Sequence, residues 1–254
     1  MSLIVDHNKI NNCANVVKQL IPPGSVVDSY AFYDSKIEFS LAFDRRFVNA
    51  YTTSKPIFIF WKCLMYDSRR VYEIVASEVF KFDNSEPTHN ALQKVWHKQD
   101  NPFLLSALFF ILNRTSDTGY ASSGVVDLES LTPIVIQKLK TFTYPESFHI
   151  NYTEDDLHNK LREKTNSDFI LLPAGDFEYG LFEHGKSLAI EQTNIKHREL
   201  VKIFNDKSNK IVLVYNFSPK VLGAYKGSRI IMVDKYGKQT AQQERAKEVV
   251  IANF

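Results

Sequence analysis

Hydrophobic side chains recur at helical spacing over residues 10–20 (INNCANVVKQL). The pattern stops at Ile21-Pro22-Pro23-Gly24, a strong chain breaker. A short strand, Ser25 to Asp28, is expected next, then Tyr30 to Asp34, a helix, and a second strand over Arg46 to Ala50. Pro56 to Met65 is apolar and aromatic and reads as a helix opened by its proline. From about Arg70 to Lys140 helical periodicity dominates, in VYEIVASEVFKF, ALQKVWHKQ, FLLSALFFILN and LTPIVIQKLK. Between the last two lies the small, polar stretch Thr115 to Gly124, whose composition predicts an exposed loop.

After Thr141 the texture changes to alternating strands and helices. Strands are predicted at 148–150, 169–172 and 210–215, helices at 154–164 and 196–205, and a closing pair of strands at 229–235 and 248–254. Glu154, Asp155 and Asp156 read as a helix start, where negative charge is favoured. Strand–helix alternation at both ends with an all-helical middle implies an α/β sheet interrupted by a helical insertion.

Composition narrows the picture. The chain has 254 residues, enough for one large domain or two small ones, with 44% hydrophobic and 24% charged residues, ordinary for a globular protein. Only two cysteines occur, Cys13 and Cys63, so neither a disulfide framework nor a cysteine zinc site is available. The longest apolar stretch, Phe103 to Leu112, is too short to cross a bilayer. No basic region followed by an apolar core opens the sequence, so an intracellular, cytoplasmic location is expected and no membrane partner. A net charge of +2 permits nucleic-acid binding without arguing for it.

The seven histidines are scattered without metal spacing, and no metal is expected. Gly180 to Ser187 (GLFEHGKS) satisfies the phosphate-loop pattern, but the preceding strand ends near Leu172, too early to feed it, and Glu183 would add charge beside a phosphate. A surface loop is the better reading. The aromatic cluster Phe58, Phe60 and Trp61 reads as core rather than a base-stacking platform, and the pairs Arg45-Arg46 and Arg69-Arg70 as solvated, with phosphate contact the alternative.

Four segments in order resemble the Dam-like class of DNA adenine methyltransferases, which move a methyl group from S-adenosylmethionine to the adenine amino group. His7-Asn8-Lys9, a helix, and Ile21 to Asp28 look like the family's opening lysine motif and first strand. Asn101-Pro102-Phe103 through Asn113-Arg114-Thr115 resembles its "NP…LFxxLNRT" segment. Val214-Tyr215-Asn216, Pro219 and Tyr225-Lys226-Gly227 are similar to "LSYN…P…LYKG", and KEVVIANF at the end to "EELLITNY". The resemblance implies a Rossmann-like S-adenosylmethionine-dependent methyltransferase fold. Residues 1–67 and 142–254 would form the methyltransferase-like domain, and 68–141 a helical insertion like the family's target-recognition region. Asp28 and Pro173 should then end neighbouring parallel strands at one sheet edge. Asn113 and Arg114 become candidate DNA contacts.

The chemistry-bearing motifs depart from the family. Its D-x-F-x-G-x-G turn, which lets the cofactor approach the backbone, falls on Asp28, Tyr30, Phe32 and Asp34, so both glycines are replaced. Tyr51 stands where the acid that binds the ribose is expected; Lys9 remains. The catalytic D-P-P-Y register holds Pro173, Ala174, Gly175 and Asp176, while a shift of three residues recovers only Asp176 and Tyr179. That motif matters because the adenine amino group is a poor nucleophile whose hydrogens need acceptors once the base is flipped out. The resemblance therefore implies a degenerate, inactive member without cofactor, binding double-stranded DNA or supporting an active methyltransferase subunit. The alternatives are an active adenine methyltransferase using S-adenosylmethionine, Asp176 and Tyr179, and an interaction protein with neither DNA nor cofactor.

Overall fold

A computed structural model describes residues 3–5, 10, 12–77, 86–177, 190–191 and 193–254. Its strands are β1 (Val26–Ser29), β2 (Phe47–Thr52), β3 (Phe148–Tyr152), β4 (Phe169–Gly175), β5 (Ile211–Asn216), β6 (Arg229–Asp234), β7 (Gln239–Thr240) and β8 (Ala246–Ala252). They form one sheet in the order β3-β2-β1-β4-β5-β8-β6-β7. β1 to β5 pair in parallel, and β8 runs antiparallel between β5 and β6. The chain leaves β1 for β2 on one side and reaches β4 on the other, which makes the β1–β4 boundary the switch point of a doubly wound, Rossmann-like sheet. β4 and β5 are covered on both faces, and so FILLPAG and IVLVYN are near-continuous apolar runs.

The register bears out the expected edge. Asp28 lies opposite Ile170 and Ser29 opposite Leu171. The Tyr30 N–H then donates to the Leu171 carbonyl at 2.9 Å, so Asp28 and Pro173 end adjacent strands at the same carboxyl edge. The closing strands expected at 229–235 and 248–254 are neighbours, β6 and β8, and the structure adds the short β7.

The sheet belongs to a unit of residues 8–53, 145–187 and 193–254. Its helices are α1 (Ala14–Leu20), α2 (Lys36–Phe43), α7 (Leu157–Arg162), α8 (His197–Asp206) and α9 (Pro219–Ala224). Asp156 caps α7 by accepting from the His158 and Asn159 N–H groups, which explains the acidic run in front of it. Leu200, Ile203 and Phe204 of α8 join Leu157, Leu161, Leu172 and Leu213 in the core on that face.

The second unit is helical and takes in residues 1–7, 54–144 and 188–192. It holds α3 (Lys55–Ala76), α4 (Glu86–Val95), α5 (Pro102–Arg114) and α6 (Pro133–Lys140). α3 is interrupted at Asp67 (φ −155°, ψ 80°), whose carboxylate accepts from the Arg70 N–H and restarts the helix. The boundary drawn at residue 68 falls on this break, yet the half before it belongs to the helical unit. There Phe60 and Trp61 are buried against Phe109 and Phe142, which makes them core as expected. α5 is capped by Asn101 and buried on nearly every side, hence hydrophobic all round.

The stretch from Thr115 to Gly124 is a closed loop, not an open one. The Ser116 hydroxyl donates to the Ser123 carbonyl at 2.7 Å, and the Asp117 carboxylate accepts from the Val125 N–H at 2.9 Å. Thr115, Ser116 and Ala121 are buried. Its small polar residues serve these internal bonds, which is why composition alone suggested exposure. Gly124 (φ +97°) closes the loop where an added Cβ would lie 2.6 Å from the Asp117 and Thr118 oxygens. Gly124→Ala is therefore expected to cost about 2–3 kcal/mol, combining backbone strain with the clash. Gly227→Ala (φ +91°), where nothing lies within 4 Å, should cost about 1 kcal/mol. Urea denaturation of both variants checks the difference; equal losses would contradict it.

Candidate functional site

Ligands of open α/β sheets bind at the carboxyl edge beside the switch point. Here that edge carries the loop Tyr30–Ser35 after β1. Two non-glycine residues in it are left-handed, Ala31 (φ 56°) and Ser35 (φ 66°), a strain of about 1 kcal/mol each. The turn is thus made at 31 and 35, on either side of the two positions where the family has glycine. Between them Phe32 is turned inward and buried, its ring 5.4 Å from Phe148, which packs in turn at 4.8 Å on Phe39 of α2. The Phe32 N–H donates to the Tyr51 carbonyl at 3.1 Å. Tyr30 and Tyr51 stack with centroids 5.0 Å apart at 18°.

Carboxylates surround this loop. Asp28 is buried and accepts from Asn49 at 3.1 Å and from the Thr165 hydroxyl at 2.7 Å. Asp34 is inward-facing and pairs with Lys36 at 3.0 Å; burial pushes its carboxyl up while Lys36 pulls it back. Glu38, in the first turn of α2, is buried and accepts from the Ser29 hydroxyl at 2.7 Å. Burial pushes the Glu38 carboxyl up to about 7 despite that bond, with Asp34 adding to the rise. Glu248 on β8 is also buried and accepts from the Asn12 and Cys13 N–H groups at 2.9 and 2.8 Å, which pins the start of α1. Sequence reading missed Glu38 and Glu248. The one signal for Glu248 was a lone acid inside the apolar run KEVVIANF.

At the neighbouring strand, Pro173, Ala174 and Gly175 lie within the end of β4, where a bulge shifts the pairing with β5. Asp176 follows and accepts from Asn216 at 2.8 Å. Behind it Phe177 packs on His197 and Tyr215 at 5.1 and 5.6 Å. His197 Nδ1 bonds the Tyr215 hydroxyl at 3.2 Å, and that hydroxyl bonds Tyr225 at 3.0 Å. Burial pushes the Tyr225 phenol up, partly offset by Tyr215. The structure therefore brings Asp28, Phe32, Asp34 and Tyr51 together around one loop, and places Asp176 at the end of the adjoining strand β4. Lys9, Tyr179 and the segment 180–187 lie outside the described residues.

Asn113 and Arg114 face inward in the helical unit. Asn113 accepts from the Val5 N–H at 2.7 Å and donates to the Val5 and Gly119 carbonyls at 3.0 and 2.6 Å. Arg114 donates to the Leu3 carbonyl at 2.7 Å, and burial lowers its pKa to about 10. Both side chains are buried and bond backbone groups, Asn113 at Val5 and Arg114 at Leu3. Of the pairs expected to be solvated, Arg46 instead is buried, donating to the Ile21 and Lys18 carbonyls. Arg70 sits 4.2 Å over the Phe103 ring. Among the described residues there is no group of acids, histidines or cysteines able to hold a metal ion, and no helix long and apolar enough to cross a membrane.

No protein-family model matches the sequence, and no curated protein matches it significantly. Among solved structures, the chain is similar to a TehB-like S-adenosylmethionine-dependent methyltransferase from Corynebacterium glutamicum. The identity is 9% over 96% of this chain and 87% of that one, with a TM-score of 0.38. The strand order, rather than this likeness, carries the fold assignment. It is the α/β, doubly wound, Rossmann-like sheet that was expected.

The buried Glu38 makes stability depend on pH. Its carboxyl titrates near 7 in the folded chain against an ordinary value of 4.5. The folded state thus holds the extra proton between these values, and stability falls as pH rises through that window. Glu38→Gln, which still accepts from Ser29, is expected to gain stability relative to the parent on going from about pH 5.5 to 8, by on the order of 1–3 kcal/mol. Denaturation of both proteins at the two pH values checks this, since the difference cancels the titrating groups that do not interact with Glu38. A pH-independent difference would contradict it.

Proposed function

We propose that this chain is a degenerate relative of DNA adenine methyltransferases that neither binds S-adenosylmethionine nor transfers a methyl group, and that supports an active partner methyltransferase. The observation that carries this reading is the closed loop after β1. The inward ring of Phe32 fills the space beneath a turn that must stay open if a cofactor is to touch its backbone. The rest of the edge agrees. A cofactor carboxylate would meet Asp34 and Glu38, and Tyr51, stacked on Tyr30, offers no carboxylate to ribose hydroxyls. The residues present do not fit the cofactor.

Support of a partner is favoured over DNA binding because the two residues matched to the family's recognition segment, Asn113 and Arg114, are buried and bonded to backbone groups of the chain itself. DNA contact then falls to surface lysines and arginines, which read phosphates rather than bases. The active alternative rests on Asp176, held at the end of β4 by Asn216.

Calorimetric titration with millimolar S-adenosylmethionine is expected to give no saturable heat. Labelled methyl transfer to adenine-containing duplexes should stay at background. Saturable binding or methyl incorporation would overturn the proposal and favour the Asp176 reading. Duplex binding by fluorescence anisotropy is expected only at low salt and without sequence preference. Sequence-selective binding that tolerates salt would displace partner support in favour of a DNA role.

A further inference from the structure

Two phenylalanines stand in solvent at the amino edge of the parallel strands, opposite the edge that carries the Phe32 loop. Phe43, the last residue of α2, is 64% exposed, and Phe47, the first residue of β2, is 55% exposed. They line one shallow groove together with Pro23, which precedes β1, and Pro145, which precedes β3. A single exposed apolar side chain needs no explanation, but two aromatic rings sharing one groove mark a contact surface.

The backbone under this groove is fixed. The Ser147 hydroxyl donates to the Ala42 carbonyl at 3.1 Å and ties the end of α2 to the start of β3. The Gly24 N–H donates to the Arg45 carbonyl at 2.7 Å and the Phe47 N–H to the Ser25 carbonyl at 3.0 Å, which tie the same turn to the start of β1. Arg45 is held left-handed (φ 63°) although it is not glycine. A surface built in advance loses little backbone entropy when it is covered.

Charge selects the occupant. Arg45 and Glu146 are exposed on the rim of the groove, and neither side chain has a hydrogen bond or ion pair among the described residues. Arg45 lies on the β1 side of Phe47, through its bond with Gly24. Glu146 lies on the β3 side, next to Ser147, whose carbonyl accepts from the Val48 N–H at 2.8 Å. Asp44, the other acid of the turn, is already paired with the buried Arg46. One cation and one anion thus flank an apolar centre from opposite sides. A half-turn about that centre sets each Arg45 against the second copy's Glu146, the self-complementarity that a two-fold interface requires. A partner charged with one sign would meet a like charge on one side.

We propose that this amino edge is a two-fold contact between two copies of the chain, with Phe43 and Phe47 packed across the axis and Arg45 of each copy paired with Glu146 of the other. The two rings leave on the order of 240 Å² of apolar surface open in each copy, below the roughly 800 Å² per partner of a stable interface, so the dimer is weak. The contact uses none of the carboxyl-edge residues, and it stands whether or not the proposed function does.

Sedimentation velocity of the full chain from about 5 to 500 µM tests this, with a dissociation constant on the order of 100 µM expected. Phe43→Ser combined with Phe47→Ser changes only exposed rings, so it should keep the circular dichroism of the parent and weaken association about tenfold. Arg45→Glu alone and Glu146→Arg alone should each weaken it about three- to tenfold, because like charges then face each other. An equimolar mixture of these two single variants pairs every charge again and is expected to associate as the parent does, as is the double reversal. A chain that stays monomeric at about 500 µM would overturn the proposal. So would a dimer that the phenylalanine variant leaves unchanged, or charge reversals that the mixture does not rescue.

Discussion

The burial of Phe32 is the contact on which the carboxyl edge depends. Once that ring sits between the end of β1 and Phe148, the loop after β1 must turn early, at Ala31, and again at Ser35. The Phe32 amide then bonds across to β2, and the turn at Ser35 sets where α2 begins. α2 in turn carries Glu38 beneath Ser29 and Phe39 against Phe148. A glycine at 32 would release this whole set, since it offers nothing to fill the space and frees the backbone. The edge is thus built as a packed element rather than a cradle.

Much of the frame was legible in the sequence. The apolar runs of β4 and β5, the proline-opened helices α3, α5 and α6, and the acidic cap of α7 follow from patterns that act over a few residues. The expected meeting of Asp28 and Pro173 at one edge followed from the resemblance, and the register bears it out. What escaped depends on tertiary direction. Nothing local distinguishes an Arg114 that turns inward to Leu3 from one that faces solvent, and the polar run after Thr115 has the composition of an open loop although its hydroxyls bond one another. The stacking of Tyr30 on Tyr51 is a cross-strand event, invisible until β1 and β2 are in register.

The buried acids show the same division. Asp28 and Glu248 are satisfied by several donors, whereas Glu38 has one hydroxyl and is pushed toward its neutral form by burial. Perturbed carboxyls cluster at functional sites as a rule. Here they sit beneath a loop closed by Phe32, while on the α7 side Tyr30 stacks on Tyr51, which lies opposite Asn151.

Native-state hydrogen exchange at the Phe32 amide tests the central claim most directly. If the loop is a packed element, this amide, bonded to the Tyr51 carbonyl beneath a buried ring, exchanges only through larger openings. Its protection should then be comparable to that of β1 and indifferent to millimolar S-adenosylmethionine. Exchange at the rate of an open loop, or a change in protection when the cofactor is added, would contradict the account.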